Sequence, residues 1–270
     1  MYNLQCLKRP KPFEPGTITL WSNDYIAKNV LNKHLNGQID SGSRCTKTIN
    51  NTVKWIRKKY PNAHSVLDVG CGPGLYAPLL CNEGFLYNGF DVSPYQIRYA
   101  IKNNSVLQKA RFSICDLRKW NADRSYDLAL LLYGIYSFFD YEERVSFLKK
   151  IRSSLNIGGS IIIEVFSKNH YLGRKESTDW EYIEHNGFWC KKSYLELNAF
   201  CWYDREKLAL IQTAILNESI EIWNSWIQTF NPNSLCSELL EANFTNFEIY
   251  GSCFGSPYTS ISDVICICAY

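Results

Sequence analysis

The chain has 270 residues, 46% of them hydrophobic and 20% charged, with a formal net charge of +3. That length suits one large domain with an inserted or flanking subdomain, and the ordinary composition excludes a disordered or collagenous chain. So small a charge, with no dense basic stripe, argues against a nucleic-acid partner, and no apolar run reaches the length of a membrane span.

The first sixteen or so residues carry three prolines and little periodicity, and read as a surface arm. Trp21-Ser22-Asn23-Asp24-Tyr25 follows, then Ile26, Val30, Leu31 and Leu35 on one helical face. Ser22 or Asn23 is the expected N-cap, and Gly37 ends the helix. Ser41-Gly42-Ser43-Arg44 opens a second helix carrying Ile49, Val53 and Ile56. Lys54, Arg57, Lys58 and Lys59 cluster on its exposed side and end and read as a solvated face.

Val66 to Val69 can form a buried parallel strand. Gly70, Gly72 and Gly74 then turn the backbone and leave no side chain where a ligand must pass. A helix starting near Gly74 would aim free N–H groups at that ligand, which is the plan of a nucleotide-type cofactor site. A dinucleotide fingerprint needs its third glycine five residues after the first, whereas Gly74 comes four after Gly70. Phe85 to Phe90 is a second apolar stretch ending at Asp91, where a carboxylate can accept two hydrogen bonds from a ribose diol. Ser93 reads as an N-cap and Pro94 as the first helical residue.

A third strand, Ala110 to Ile114, runs into Cys115-Asp116-Leu117, and a fourth covers Tyr126 to Leu132. Val145, Leu148, Ile151 and Leu155 give an amphipathic helix over 141–155, ended by Asn156 to Gly159. Ile161 to Val165 is a fifth strand. Apolar runs without alternation suit strands covered on both faces. Tyr194 to Tyr203 alternates, as do Leu208 with Leu210 and Ile220 with Ile222, so 167–230 reads as about three antiparallel strands rich in Trp and Tyr. Leu235 to Phe244 is a helix closed by a left-handed Asn243. Phe247 to Tyr250 and Val264 to Ala269 are the last strands.

The run Val66 to Gly74, with Asp68 in the strand and the Gly-x-Gly-x-Gly turn, resembles motif I of the class I S-adenosylmethionine-dependent methyltransferases. The Trp-x-x-x-Tyr entry ending at Tyr25 and the Ser-Arg pair at Arg44 resemble a bacterial, small-molecule subgroup of that family. The resemblance implies an α/β fold: a doubly wound seven-stranded sheet with an antiparallel last strand. Residues 62–166 and 231–270 would form this core. Residues 1–61 would supply an arm and a helical cover, and 167–230 an antiparallel β lid holding the substrate.

S-adenosylmethionine would then be held by Tyr25, Arg44, Asp68, Gly70, Cys71, Gly72, Gly74, Asp91, Val92, Asp116, Leu117 and Leu132. In that pattern Asp116 bonds the adenine amino group, Leu117 packs on the ring, and Arg44 clamps the cofactor carboxylate. Tyr133 and Tyr136 would line the reaction centre as positioning groups, with Glu164, His34 and His170 as candidate bases. The chain has Leu132-Tyr133-Gly134-Ile135-Tyr136 where many base- and protein-nitrogen methylases carry Asn/Asp-Pro-Pro-Tyr. The expected reaction is methyl transfer to an oxygen or nitrogen of a small molecule. Protein or RNA methylation, and a non-catalytic cofactor-binding module, are the alternatives. Eleven cysteines, an odd number without Cys-x-x-Cys, read as small buried hydrophobes of a reducing cytoplasm. His170, His185 and Cys190 lack zinc spacing, so no metal is expected.

Overall fold

The computed structural model describes residues 7–270 apart from 22 and 123. Helix α1 (Asp24–His34) is capped by Asn23, whose side chain accepts from the Ile26 N–H; Ser22, the other candidate cap, lies outside the described residues. Helix α2 (Thr46–Lys59) leads to strand β1 (Ser65–Val69). Helix α3 (Ala77–Asn82) begins three residues later than expected. Gly72 (φ +52°) and Gly74 (φ +74°) hold left-handed backbone that no α-helix can include, so a turn separates β1 from α3.

Strand β2 (Leu86–Asp91), helix α4 (Pro94–Asn103) and strands β3 (Ala110–Ile114) and β4 (Tyr126–Leu131) follow. Helix α5 (Tyr141–Ser153) starts with a reciprocal capping box of Asp140 and Glu143. Strand β5 (Leu155–Phe166) absorbs the expected Asn156–Gly159 connection. Tyr126 sits opposite Leu155 but Leu128 opposite Ser160, so those residues form a bulge, not a loop.

Strands β6 (Ser177–Ile183), β7 (Tyr194–Tyr203), β8 (Leu208–Leu216) and β9 (Ile220–Gln228) make four antiparallel strands where about three were expected. β6 escapes sequence detection because six of its seven residues are exposed and so carry no buried face to read. Helix α6 (Pro232–Glu241) and strands β10 (Phe247–Tyr250) and β11 (Val264–Ala269) complete the chain, and Asn243 adopts the expected left-handed conformation (φ +65°).

The main sheet has seven strands in the order β10-β11-β5-β4-β1-β2-β3. β1 to β5 are parallel, β11 runs antiparallel to β5, and β10 antiparallel to β11. The chain winds outward from β1 to β3, then crosses back to β4 beside β1. That reversal opens a crevice at the carboxyl ends of β1 and β4, the place where such sheets bind ligands. One face of the sheet buries Phe147, Leu148 and Ile151 of α5 with Leu235 and Leu239 of α6. The other buries Val53 and Ile56 of α2, Leu80 of α3 and Ile97 of α4. Each such side chain contributes about 1.5–3 kcal/mol of burial, enough to fix the positions of the loops above.

The second sheet has the order β6-β7-β8-β9. Phe230, just after β9, returns the chain to the main sheet: its N–H donates to the Phe166 carbonyl (2.9 Å) and its ring lies 5.8 Å from Tyr136. The described part of the N-terminal arm is not a free surface segment but a strap across this second sheet. The Thr17 and Ile18 N–H groups donate to the Ile222 carbonyl, the Trp226 indole to the Glu14 carbonyl, and the Tyr203 hydroxyl to the Pro10 carbonyl. A Cβ at Gly16 would stand 2.2 Å from the Ile222 oxygen, so only glycine lets the strap lie this close.

The basic cluster at the end of α2 is also more than a solvated face. Arg57 donates to the carbonyls of Tyr60 and Ala63, and Lys59 pairs with Glu248 at 2.6 Å. All described cysteines are free, and Cys266 and Cys268 are fully buried in β11, as small apolar residues would be.

Candidate cofactor and acceptor site

The glycine turn sits at the carboxyl end of β1, tied to β2 by two hydrogen bonds from the Gly70 and Cys71 N–H groups to the Phe90 carbonyl (2.9 and 3.0 Å). Asp91, at the end of β2, spans the turn. Its carboxylate accepts from the Gly72 N–H (3.0 Å) and the Ser93 N–H (2.8 Å). Burial pushes the Asp91 carboxyl up, while the N–H groups of Ser93, Gly72 and Val92 pull it down. The group is thereby oriented with lone pairs to spare for a diol.

Asp68 lies beneath the turn. It is 4% exposed, accepts from the Tyr87 hydroxyl at 2.6 Å, and is pushed up to about 7 by burial. Cys71 is buried beside it. A Cβ at Gly89 would meet the Cys71 sulfur and the Tyr87 hydroxyl at 2.8 Å, so Gly89 belongs to the turn's foundation. The sequence reading missed that glycine because it lies in a strand, away from the Gly-x-Gly-x-Gly run.

Past β3, Asp116 accepts from the Arg118 N–H (2.9 Å) and pairs with its guanidinium at 3.3 Å. Leu117 is buried in the core with Phe90 and Trp120, whose rings stack at 5.4 Å. Leu132 is 8% exposed at the end of β4.

Tyr133 takes a left-handed backbone (φ +53°), uncommon for a tyrosine. Its N–H donates to Glu164 at 2.7 Å, and its ring lies 4.8 Å below the Arg44 guanidinium and 6.4 Å from Phe166. The next residue, Gly134, permits this: a Cβ there would stand 2.2 Å from the Phe166 ring. Tyr136 is not part of this group. It is fully buried in the opposite face of the sheet, donating to Glu238 at 2.6 Å beside Arg144. The 3-10 turn over Ile135–Phe138 swings it inward, so it cannot touch an acceptor.

Arg44, just before α2, bonds Asp40 at 2.6 Å and also pairs with Glu164. Its Nε is buried without a partner. His34 closes the other side. Its Nδ1 bonds the Ser43 hydroxyl at 2.7 Å, and burial lowers its pKa to about 4, so the ring is neutral at physiological pH. A Cβ on Gly72 would come within 3.3 Å of the His34 ring, which places this cover directly on the glycine turn. A cavity of about 180 Å³ opens there, lined among others by His34, Arg44, Ile49 and Leu75.

Tyr25 contacts the insertion. Its hydroxyl donates to the Gly187 carbonyl, in the turn between β6 and β7, at 2.7 Å, and Asn29 donates to the Phe188 carbonyl at 2.9 Å. Helix α1 is therefore fastened to the insertion. The His170 ring packs, tilted, 4.5 Å from Phe166, and burial lowers its pKa. No group of three metal-ligating side chains occurs among the described residues, and none of the described helices is long and apolar enough to cross a membrane.

These residues suit an S-adenosyl cofactor on three counts. The turn offers side-chain-free backbone at Gly70, Gly72 and Gly74. Asp91 presents an anchored carboxylate. Arg44 keeps one buried donor unpaired. The comparisons agree. A family model described as a methyltransferase domain matches residues 41–249, and the chain belongs to that family. The structure is similar to an S-adenosylmethionine-dependent methyltransferase from Clostridium acetobutylicum: TM-score 0.67, 15% identity, covering 92% of this chain and 98% of that one. It is also similar to the CcbJ methyltransferase from Streptomyces caelestis, with TM-score 0.65 and 13% identity over 82% and 88% of the two chains. The sugar N-methyltransferase KedS8 from Streptoalloteichus aligns with TM-score 0.57 and 16% identity over 82% and 86%. Among curated sequences, mouse glycine N-methyltransferase (Mus musculus) is 28% identical over 117 residues, 37% of this chain and 40% of the relative. The match thus spans about two-fifths of that relative's length.

Proposed function

We propose that the protein is a cytoplasmic S-adenosylmethionine-dependent methyltransferase that methylates an oxygen or nitrogen of a small molecule. The observation that carries this reading is the glycine turn at the end of β1 with the Asp91 carboxylate fixed across it. When bound, the cofactor supplies an activated methyl group, so the protein's work is to bind, orient and exclude water. Asp91 holds the ribose, and the turn admits the chain beyond it. We place Tyr133 at the acceptor, because Glu164 and Gly134 lock its ring between Arg44 and Phe166. The insertion 167–230 covers this centre as a lid and supplies the acceptor pocket. Several structurally similar proteins act on small molecules, among them an amino pentose methyltransferase and a glycopeptide N-methyltransferase.

Two measurements test the reading. Calorimetry should show micromolar binding of S-adenosylmethionine and S-adenosylhomocysteine, about −8 kcal/mol. Radiolabelled cofactor incubated with metabolite extracts should label a low-molecular-weight product. Binding of NAD in place of both adenosyl ligands would overturn it.

A further inference from the structure

A second cavity, of about 280 Å³, lies between the turn that follows β5 and strand β7 of the lid, lined among others by Lys168, Tyr171, Arg174, Phe200, Trp202 and Asp204. Its floor is aromatic. Tyr171 stacks on Phe200 with centroids 5.6 Å apart and lies 6.2 Å from Trp202. The Arg174 guanidinium carbon lies over the Phe200 ring, 4.1 Å from its centroid. Among the described residues it has no carboxylate partner and donates no side-chain hydrogen bond, so its five N–H donors face the cavity or solvent. The Tyr171 ring is buried, yet its hydroxyl also has no hydrogen-bond partner among the described residues. Arg174 is close enough to Tyr171 to pull its pKa down against the rise caused by burial. Two adjacent donors without an acceptor, on an apolar floor, are the complement of an oxyanion.

The acidic group at the rim does not cancel this. Asp204 is held by the Trp202 indole at 2.9 Å and by Lys207 and Lys168 at 3.9 and 4.0 Å. Glu176, bonded to the Trp202 N–H, is taken by Arg9 at 3.0 Å. A row of ring contacts runs from the cavity's floor to the centre described above. Tyr133 meets Phe166, Phe166 meets His170 at 4.5 Å, and His170 meets Tyr171 at 4.9 Å. That row places Arg174 and Tyr133 on the same side of the molecule as the Phe166 and His170 rings between them.

We propose that this cavity binds an anionic group of the methyl acceptor, a carboxylate or a phosphate, with Arg174 and the Tyr171 hydroxyl as its donors. The assignment of the ligand to the acceptor rests on the methyltransferase reading; the anion site itself does not. It narrows the substrate class to small molecules carrying an oxyanion at some distance from the methylated atom.

The test uses the full chain and three probes: inorganic phosphate, phenyl phosphate and benzoate. Binding is followed by tryptophan fluorescence at constant ionic strength, with chloride as the control anion. Saturable millimolar binding of a phosphate or of benzoate is expected, and the stronger of phenyl phosphate and benzoate identifies the oxyanion. Arg174→Gln should weaken it at least tenfold and Tyr171→Phe several-fold. Both variants should keep the parent affinity for S-adenosylhomocysteine, because the cavity lies outside the glycine turn. No saturable binding of any probe, or equal binding by Arg174→Gln, overturns the site. A parent protein that binds the anions but neither adenosyl ligand would leave the anion site standing and remove the methyltransferase reading instead.

Discussion

Asp91 and Asp68 are both buried carboxyls near the glycine turn, yet they serve different ends. Asp91 is satisfied by backbone N–H groups and keeps capacity for a ligand. Asp91→Ala should therefore weaken S-adenosylhomocysteine binding by about 1.5–3 kcal/mol, the worth of hydrogen bonds to a charged group, as read by calorimetry. Asp68 has one partner, Tyr87, and burial raises its carboxyl to about 7. Its folded pKa lies above the unfolded value, so the folded state holds the proton more tightly. Its stability cost is absent below the usual carboxylate range and grows as pH rises through about 7. Asp68→Asn keeps an acceptor for Tyr87 and cannot ionise. Urea unfolding should show the variant gaining on the parent as pH rises from the usual carboxylate range to about 7 and holding that gain at pH 8; parallel profiles would mean that the folded pKa of Asp68 is not raised.

The site residues divide in the same way as to what a sequence can show. The glycine turn and Asp91 were legible because their spacing is dictated by backbone geometry along a short stretch of chain. Tyr133 and Tyr136 looked equivalent at three residues apart. Only the left-handed pair Tyr133-Gly134 and the following 3-10 turn send one ring to the crevice and the other to the core. That outcome depends on Phe166 and Glu238, distant in sequence, so no local pattern announced it.

At the scale of elements, α5 and α6 are joined by a buried ion pair. Arg144 donates to both oxygens of Glu238 at 2.9 and 2.7 Å, with Tyr136 as a third partner. Replacing Arg144 with Leu would strand the Glu238 carboxylate in the core, and we expect a loss of about 3–5 kcal/mol in chemical denaturation. Helix α1 forms the other important joint. Its Tyr25 and Asn29 bond the 187–188 turn of the insertion, while its buried Ile26 packs with Trp189 and Tyr194. Tyr25→Phe removes one hydrogen bond, about 0.5–1.5 kcal/mol, and amide exchange should quicken in both α1 and the 184–190 segment. Quickening in α1 alone would show that the two are not coupled. The strands and helices of the main sheet were legible from their apolar runs. β6 and the N-terminal strap were not, because one has no buried face and the other no period at all.

For the whole molecule, ligand linkage gives a direct check. S-adenosylhomocysteine at one hundred times its dissociation constant should stabilise the fold by about 2.7 kcal/mol. Chelation by EDTA should leave both that gain and the melting temperature unchanged. A drop in either, restored by a divalent ion, would contradict the expected absence of metal.

The fastening of α1 to the insertion has a kinetic consequence. Helix α1 reaches the glycine turn at one end, through His34, and the insertion along its side. The cover over the glycine turn and the insertion are thus tied through one helix. If the proposed lid reading holds, a movement of α1 would shift the cofactor cover and the insertion together, and its frequency would set a common ceiling on both release steps.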